Sequence, residues 1–226
     1  MATINLAVPL GTDEKGKVHS IDFSTHRHLL MGGSTGSGKS VFNHHAIRTL
    51  IKQNSPEQVR FLLCDPKVVE LTVYNKGPYF LTETLTRPVD IFSYLEKLVG
   101  EINNNQFDLF IIIDTISDLM MNDSALFEKL AEELAQKSKF HLIMCDSRIG
   151  KDVFSSSLLK LFPTRIAFNV PDSEASNLLI NNAGAENLKG KGDMLFIENL
   201  NSTPVRLQGQ SVSEKEVLDF VKELGG

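Results

Sequence analysis

The residues Gly33-Ser34-Thr35-Gly36-Ser37-Gly38-Lys39-Ser40 combine glycines, a lysine and hydroxyls at a spacing suited to one purpose, the grip of a phosphate chain. Glycines let the backbone curl until successive N–H groups face a common point, and a helix opening at Lys39 adds the positive potential of its N-terminus. At this spacing Lys39 reaches the β- and γ-phosphates of a nucleotide, and the Ser40 hydroxyl is placed to ligate a bridging Mg²⁺. The pattern therefore predicts ATP with Mg²⁺, contacted by Gly33, Ser34, Thr35, Gly36, Ser37, Gly38, Lys39, Ser40 and the adjoining Val41.

A site of this kind also needs an acid at the end of a neighbouring buried strand, to hold the metal or its water shell. Leu109-Phe110-Ile111-Ile112-Ile113-Asp114 supplies one, since a carboxylate directly after five apolar residues has little structural reason to be there. Asp114 is thus expected at the metal, and as a catalytic group with Lys39. Asp65, after Phe61-Leu62-Leu63-Cys64, is a similar strand-end acid, but an Asp65-Pro66 step favours a turn. Many ATP hydrolases place a water-polarising Glu directly after the metal-holding Asp. That position is Thr115 here, and the next acids are Asp118 and Asp123.

These residues need a scaffold, and the hydrophobic pattern describes one. Short apolar runs predict strands at 28–31, 59–64, 109–113, 140–145 and 164–170. Segments of helical period lie between them at 39–53, about 88–102, 124–137 and 152–161. Such alternation implies an α/β fold, a mostly parallel sheet with helices on both faces. Met194-Leu195-Phe196-Ile197 and Val205-Arg206-Leu207 are expected to pair as a hairpin. Ser213 followed by Glu216 is a capping-box signature, and Val217, Phe220, Val221 and Leu224 make the stripe of a last helix. No repeat or linker divides the chain, so one domain over 1–226 is expected. His44-His45 reads as a helix surface feature and Asn103-Asn104-Asn105 as a loop.

Composition narrows the class. Of 226 residues, 42% are hydrophobic and 23% charged, which excludes disorder as the main state. The net charge of −5 argues against a protein that grips nucleic acid over its whole surface, though a local basic strip remains compatible. Cys64 and Cys145 follow apolar runs and read as reduced core thiols. Met1 to Asn5 has no charged region leading into an apolar segment, so a signal peptide is not expected. The longest aliphatic and aromatic run, Leu109 to Ile113, is far short of a membrane span. A cytoplasmic location follows, with a membrane anchor only on a longer parent chain.

Several blocks taken in order resemble the motor domain of the FtsK/SpoIIIE family, from about Val8 to Leu224. They are His28-Leu29-Leu30 before the glycine-rich loop, Asp65-Pro66-Lys67 with Val69-Glu70-Leu71, and Asp114 with Asp118-Leu119-Met120-Met121. Then come Phe162-Pro163-Thr164-Arg165-Ile166-Ala167-Phe168 and Gly184-Ala185-Glu186 with Gly190-Lys191-Gly192-Asp193-Met194-Leu195. The resemblance implies a RecA-like P-loop core in a hexameric ring, with ATP bound between subunits and double-stranded DNA in the bore. Members segregate chromosomes, and relatives move conjugative DNA or export proteins. It also implies Arg165 as a trans-acting catalytic Arg, and Arg148, Lys151 and Lys160 as a basic strip toward DNA.

Departures from the family pattern gather at hydrolysis. The family's Asp-Glu pair is Asp114-Thr115, its Thr-Gln-Arg-Pro stretch is Asp146-Ser147-Arg148-Ile149, and a family Arg aligns with Asn177. The stretch between 100 and 108 is also shorter than the family usually carries. Two readings follow: an ATP-driven translocase of double-stranded DNA, or a hydrolysis-poor nucleotide-binding module of a multi-ATPase coupling protein that handles a secreted protein. A small-molecule kinase using the same loop leaves the later blocks without a place.

Overall fold

The run Leu109–Ile113 divides by strand alternation between two apolar layers, and that division organises the molecule. Leu109, Ile111 and Ile113 enter one core with Leu62, Leu142 and Met144, while Phe110 and Ile112 enter the other with Phe61, Leu63 and Ile143. A strand buried on both faces must be apolar at every position, which explains the unbroken run. The computed structural model describes residues 3–75, 77–101 and 106–225. The expected loop at Asn103-Asn104-Asn105 and the last residue of the expected helix to 102 lie outside the described residues.

The described strands are β1 (Ala7–Thr12), β2 (Val18–Asp22), β3 (Leu29–Gly32), β4 (Val59–Cys64), β5 (Asp108–Asp114), β6 (Phe140–Asp146), β7 (Thr164–Phe168), β8 (Asp193–Ile197) and β9 (Val205–Gly209). They form one sheet in the order β2-β1-β9-β8-β7-β3-β6-β5-β4. The half from β7 to β4 is parallel, as the alternation predicts. The other half is antiparallel, so the sheet is mixed. The β8–β9 hairpin forms where expected, with Phe196 opposite Val205.

The β1–β2 hairpin has no counterpart in the sequence reading. Pro9 and Gly11 interrupt its apolar pattern, and the register shifts between them. Gly11 is required there, because a Cβ would sit 2.2 Å from the Gln208 carbonyl oxygen of β9.

Helices α1 (Lys39–Gln53) and α6 (Glu214–Leu224) cover one face, through Phe42, Ile47, Leu50, Val217 and Phe220. Helices α2 (Pro88–Gly100), α3 (Ser117–Ala135), α4 (Ser156–Leu161) and α5 (Ser173–Ile180) cover the other. The capping box at α6 forms as the sequence predicts, Ser213 and Glu216 bonding reciprocally. Helix α3 starts seven residues earlier than expected. Asp123 is non-helical within it (φ −156°, ψ 91°), and its carboxylate accepts from Leu126 N–H at 3.0 Å. It caps a second segment, which is the helix that the periodicity registers.

Candidate functional site

Strand register assembles the site. Gly32 pairs with Asp146 and Ala167, and Asp114 pairs with Cys145, so the carboxyl ends of β3, β5, β6 and β7 meet along one edge. Ligands of α/β sheets bind at that edge. The Gly33–Ser40 loop crosses it and is pinned by backbone bonds. Ser34 N–H donates to the Asn169 carbonyl at 2.7 Å, and Gly192 N–H to the Ser37 carbonyl at 2.8 Å. Gly38 has φ +131°, and a Cβ there would lie 2.9 Å from the Gly192 backbone. No side chain caps the start of α1, so its first N–H groups point into the loop without a side-chain acceptor.

Lys39 is buried, and its Nζ donates to the Gly33 carbonyl at 2.7 Å and the Ser34 carbonyl at 3.1 Å. Burial pulls its pKa below the usual lysine range, opposed by Cys145, Asp114 and Asp146. Two strands away Asp114 is also buried. Its Oδ1 accepts from Cys145 Sγ–H at 3.0 Å, whereas its Oδ2 is buried with no hydrogen-bond partner. Burial raises its pKa, and the Cys145 bond works against that shift. A buried carboxylate oxygen without a partner is costly, and a cation is what would satisfy it. The donor set of Asp114 and Ser40 therefore fits a hard divalent ion such as Mg²⁺.

Thr115 is buried in the left-handed region at φ +71°, a rare conformation for a β-branched residue. Its N–H donates to the Cys145 carbonyl at 3.0 Å. Asp146 is fully buried and serves structure: it accepts from Ser117 N–H at 2.6 Å and Arg148 N–H at 2.7 Å.

The loop after β4 brings in groups that the sequence did not single out for chemistry. Asp65 forms the expected turn, and its Oδ2 accepts from the N–H groups of Val69, Glu70 and Leu71 at 3.0, 2.8 and 2.9 Å. Glu70 thereby lines the same cavity of about 550 Å³ as Gly36, Gly38, Lys39, Ser40 and Val41. His44, with its Nε2 3.9 Å from the carboxylate, holds the Glu70 pKa below the usual range against burial, with the Ser40 hydroxyl and Lys39 assisting. His44 and His45 differ from a plain surface pair. His44 Nδ1 meets the Tyr74 hydroxyl at 2.9 Å, and His45 Nε2 meets the Pro9 carbonyl at 2.9 Å. The available sequence signal was Glu70 standing five residues past a strand-end Asp-Pro turn.

Arg165 corrects an expectation. It is buried in β7, and its guanidinium donates to the carbonyls of Phe162 (2.7 Å), Leu179 (2.8 Å) and Leu159 (2.6 Å). Burial lowers its pKa to about 10. A guanidinium held inward at all three nitrogens does not extend to a neighbouring subunit's phosphate. Arg148, in the loop after β6, pairs with Asp152 and contacts Met121 Sδ at 3.4 Å. Lys151 shares a depression with Asp172 and Glu174, and exposed Lys160 lies at the far end of α4. The three cations do not share one element.

The sequence model of the FtsK/SpoIIIE family matches residues 2–110, which take in the glycine-rich loop and the Asp65–Glu70 turn. The DNA translocase FtsK of Caldanaerobacter subterraneus subsp. tengcongensis is 38% identical over 96% of this chain. The chain belongs to the FtsK/SpoIIIE family. The DNA translocase FtsK of Streptococcus pneumoniae strain R6 is 34% identical over the same share. The chain spans about a third of the length of these relatives, 35% and 33%. Among solved structures, the pCW3 conjugation coupling protein TcpA with ATPγS aligns over 97% of this chain and 70% of its own, with a TM-score of 0.81 and 21% identity. The cytoplasmic domain of the Thermomonospora curvata type VII secretion ATPase EccC aligns over 100% of this chain and 32% of its own, with a TM-score of 0.79 and 18% identity. Both share the fold, which is the RecA-like P-loop core expected of this family. Among the described residues, no helix is long and apolar enough to cross a membrane.

Proposed function

We propose that residues 1–226 form the ATP-hydrolysing motor domain of a protein that moves double-stranded DNA through a ring of identical subunits. The observation that carries this reading is a buried Asp114 oxygen left without a partner, on a carboxylate close enough to act on the charge of Lys39, which lines the cavity with Ser40. The naming of the family relatives as DNA translocases supports DNA as the cargo. Loop N–H groups and Lys39 grip the phosphates of ATP. Ser40 and Asp114 are the residues that would hold Mg²⁺, whose chemistry there is to neutralise phosphate charge. The domain works on the cytoplasmic side, tied to a membrane only through a longer parent chain.

Thr115 supports a second reading, a nucleotide-binding assembly module with little turnover that acts on a secreted protein. Steady-state ATP hydrolysis with and without long duplex DNA separates the two. Strong stimulation by DNA is the outcome expected of the motor. Tight ATP binding with no turnover in either condition would leave the assembly module. Lys39→Ala is expected to abolish ATP binding in both cases, and unaltered affinity would mean that the nucleotide site has been assigned to the wrong loop.

A further inference from the structure

Thr115 leaves the expected water-polarising position without a carboxylate, yet another carboxylate stands at the same cavity. Glu70 follows β4, the strand beside β5, so it approaches from the next strand end along the edge that carries Asp114. Two contacts make its placement specific. From below, Asp65 clasps the backbone of residues 69–71 through three N–H bonds, which fixes where the Glu70 side chain begins. From the side, His44 Nε2 lies 3.9 Å from Glu70 Oε2.

His44 is itself oriented. Tyr74, fully buried, meets the opposite ring nitrogen at 2.9 Å. A Tyr74 hydroxyl donating to Nδ1 leaves the imidazole proton on Nε2, directed at Glu70. Tyr74 fixes His44, and His44 then stands beside Glu70 at ion-pair distance, where the dipole of its Nε2–H favours the charged carboxylate. The Glu70 side chain keeps 38% of its surface exposed, toward the cavity that Ser40 and Lys39 also line. A buried structural acid would be closed off.

We propose that Glu70 supplies the water-orienting carboxylate that position 115 lacks, with His44 and Tyr74 as positioning residues. The inference rests on the proposed hydrolysis of ATP. In the step, the water oxygen bonds to the γ-phosphorus as the bond from that phosphorus to the β,γ-bridging oxygen breaks. The bridging oxygen keeps the electron pair and leaves with ADP. The water's proton passes to Glu70 and from there to the departing phosphate, which restores the carboxylate.

Glu70→Gln keeps the shape and removes the charge. It is expected to lower kcat about 10²- to 10⁴-fold, the range of a lost acid–base group, while ATP affinity in a direct binding titration stays within about 3-fold of wild type. Glu70→Asp, which keeps a carboxylate, is expected to recover at least about 10-fold of that loss. His44→Gln is expected to lower kcat by a smaller factor at unchanged affinity, and it serves as the reporter if the Glu70 variants do not fold. Turnover by Glu70→Gln within about 3-fold of wild type overturns the role of Glu70 and leaves the motor reading standing. Equal losses of kcat and of ATP affinity also overturn it, since they mark a structural role. A wild-type chain that binds ATP without turnover overturns both.

Discussion

A single arginine shows how far residue type alone can mislead. Arg165 lies in a stretch that looks like a family signature, and the resemblance implies a catalytic role for it in trans. Its three carbonyl partners come from two places in the chain, Leu159 and Phe162 at the end of α4 and Leu179 in α5, and the residue is 3% exposed. It ties the end of α4 and the end of α5 to β7. Lysine offers a point charge in place of the planar fork, so Arg165→Lys leaves buried carbonyls without donors. The variant is expected to lose about 3 kcal/mol in urea unfolding, with ATP turnover per folded molecule close to wild type. Full stability with turnover lost would return Arg165 to a role in trans. Asp114 presents the opposite case. Its type and position announced it, and the unpartnered Oδ2 gives that announcement physical content.

At the scale of elements, the glycine-rich loop works because two of its glycines face different constraints. Gly38 combines φ +131° with the Gly192 backbone 2.9 Å from where a Cβ would stand. Gly36 has φ +75° and nothing within 4 Å. Gly38→Ala is therefore expected to cost about 1–3 kcal/mol and to displace the loop N–H groups from the phosphates. Gly36→Ala carries only the left-handed penalty, about 1 kcal/mol. Denaturant unfolding and ATP titration of the pair check this, and equal effects in both variants would contradict the role given to Gly192. The same contrast separates what the sequence made legible from what it did not. Patterns confined to one element were readable: the parallel strands, the loop, the capping box at Ser213 and the β8–β9 hairpin. Features set by distant partners were hidden. The β1–β2 hairpin is broken in pattern by Pro9 and Gly11 and gains its place by pairing with β9. Helix α5 is only eight residues long, with Asp172 and Asn181 as its ends, too short for periodicity to register. Glu70 joins the site through the Asp65 clasp with His44 beside it, a fact of three-dimensional contact rather than of spacing.

The whole molecule carries a charge of −5, and a DNA motor must still attract a polyanion somewhere. The structure puts acids beside the cations that the family resemblance turns toward DNA. Asp152 stands against Arg148, and Asp172 and Glu174 surround the depression that Lys151 shares. The Arg148–Asp152 pair is about half exposed on each side, at 54% and 55%, so it holds the arginine only weakly. Exposed pairs of this kind contribute at most about 1 kcal/mol, less than a phosphate gains by releasing its counterions at moderate salt. On the proposed motor reading, Arg148 would exchange Asp152 for a DNA phosphate at little cost. Asp152→Asn removes the competitor, and the DNA concentration for half-maximal ATPase stimulation is expected to fall by up to about 5-fold. Arg148→Ala is expected to raise that concentration and to flatten its logarithmic salt dependence by about 0.9, the slope of one lost phosphate contact. The decisive comparison is Arg148→Ala combined with Lys151→Ala. If half-saturation and salt slope both match wild type, these residues face no duplex, and an acidic domain without a basic strip fits the assembly module better than the motor.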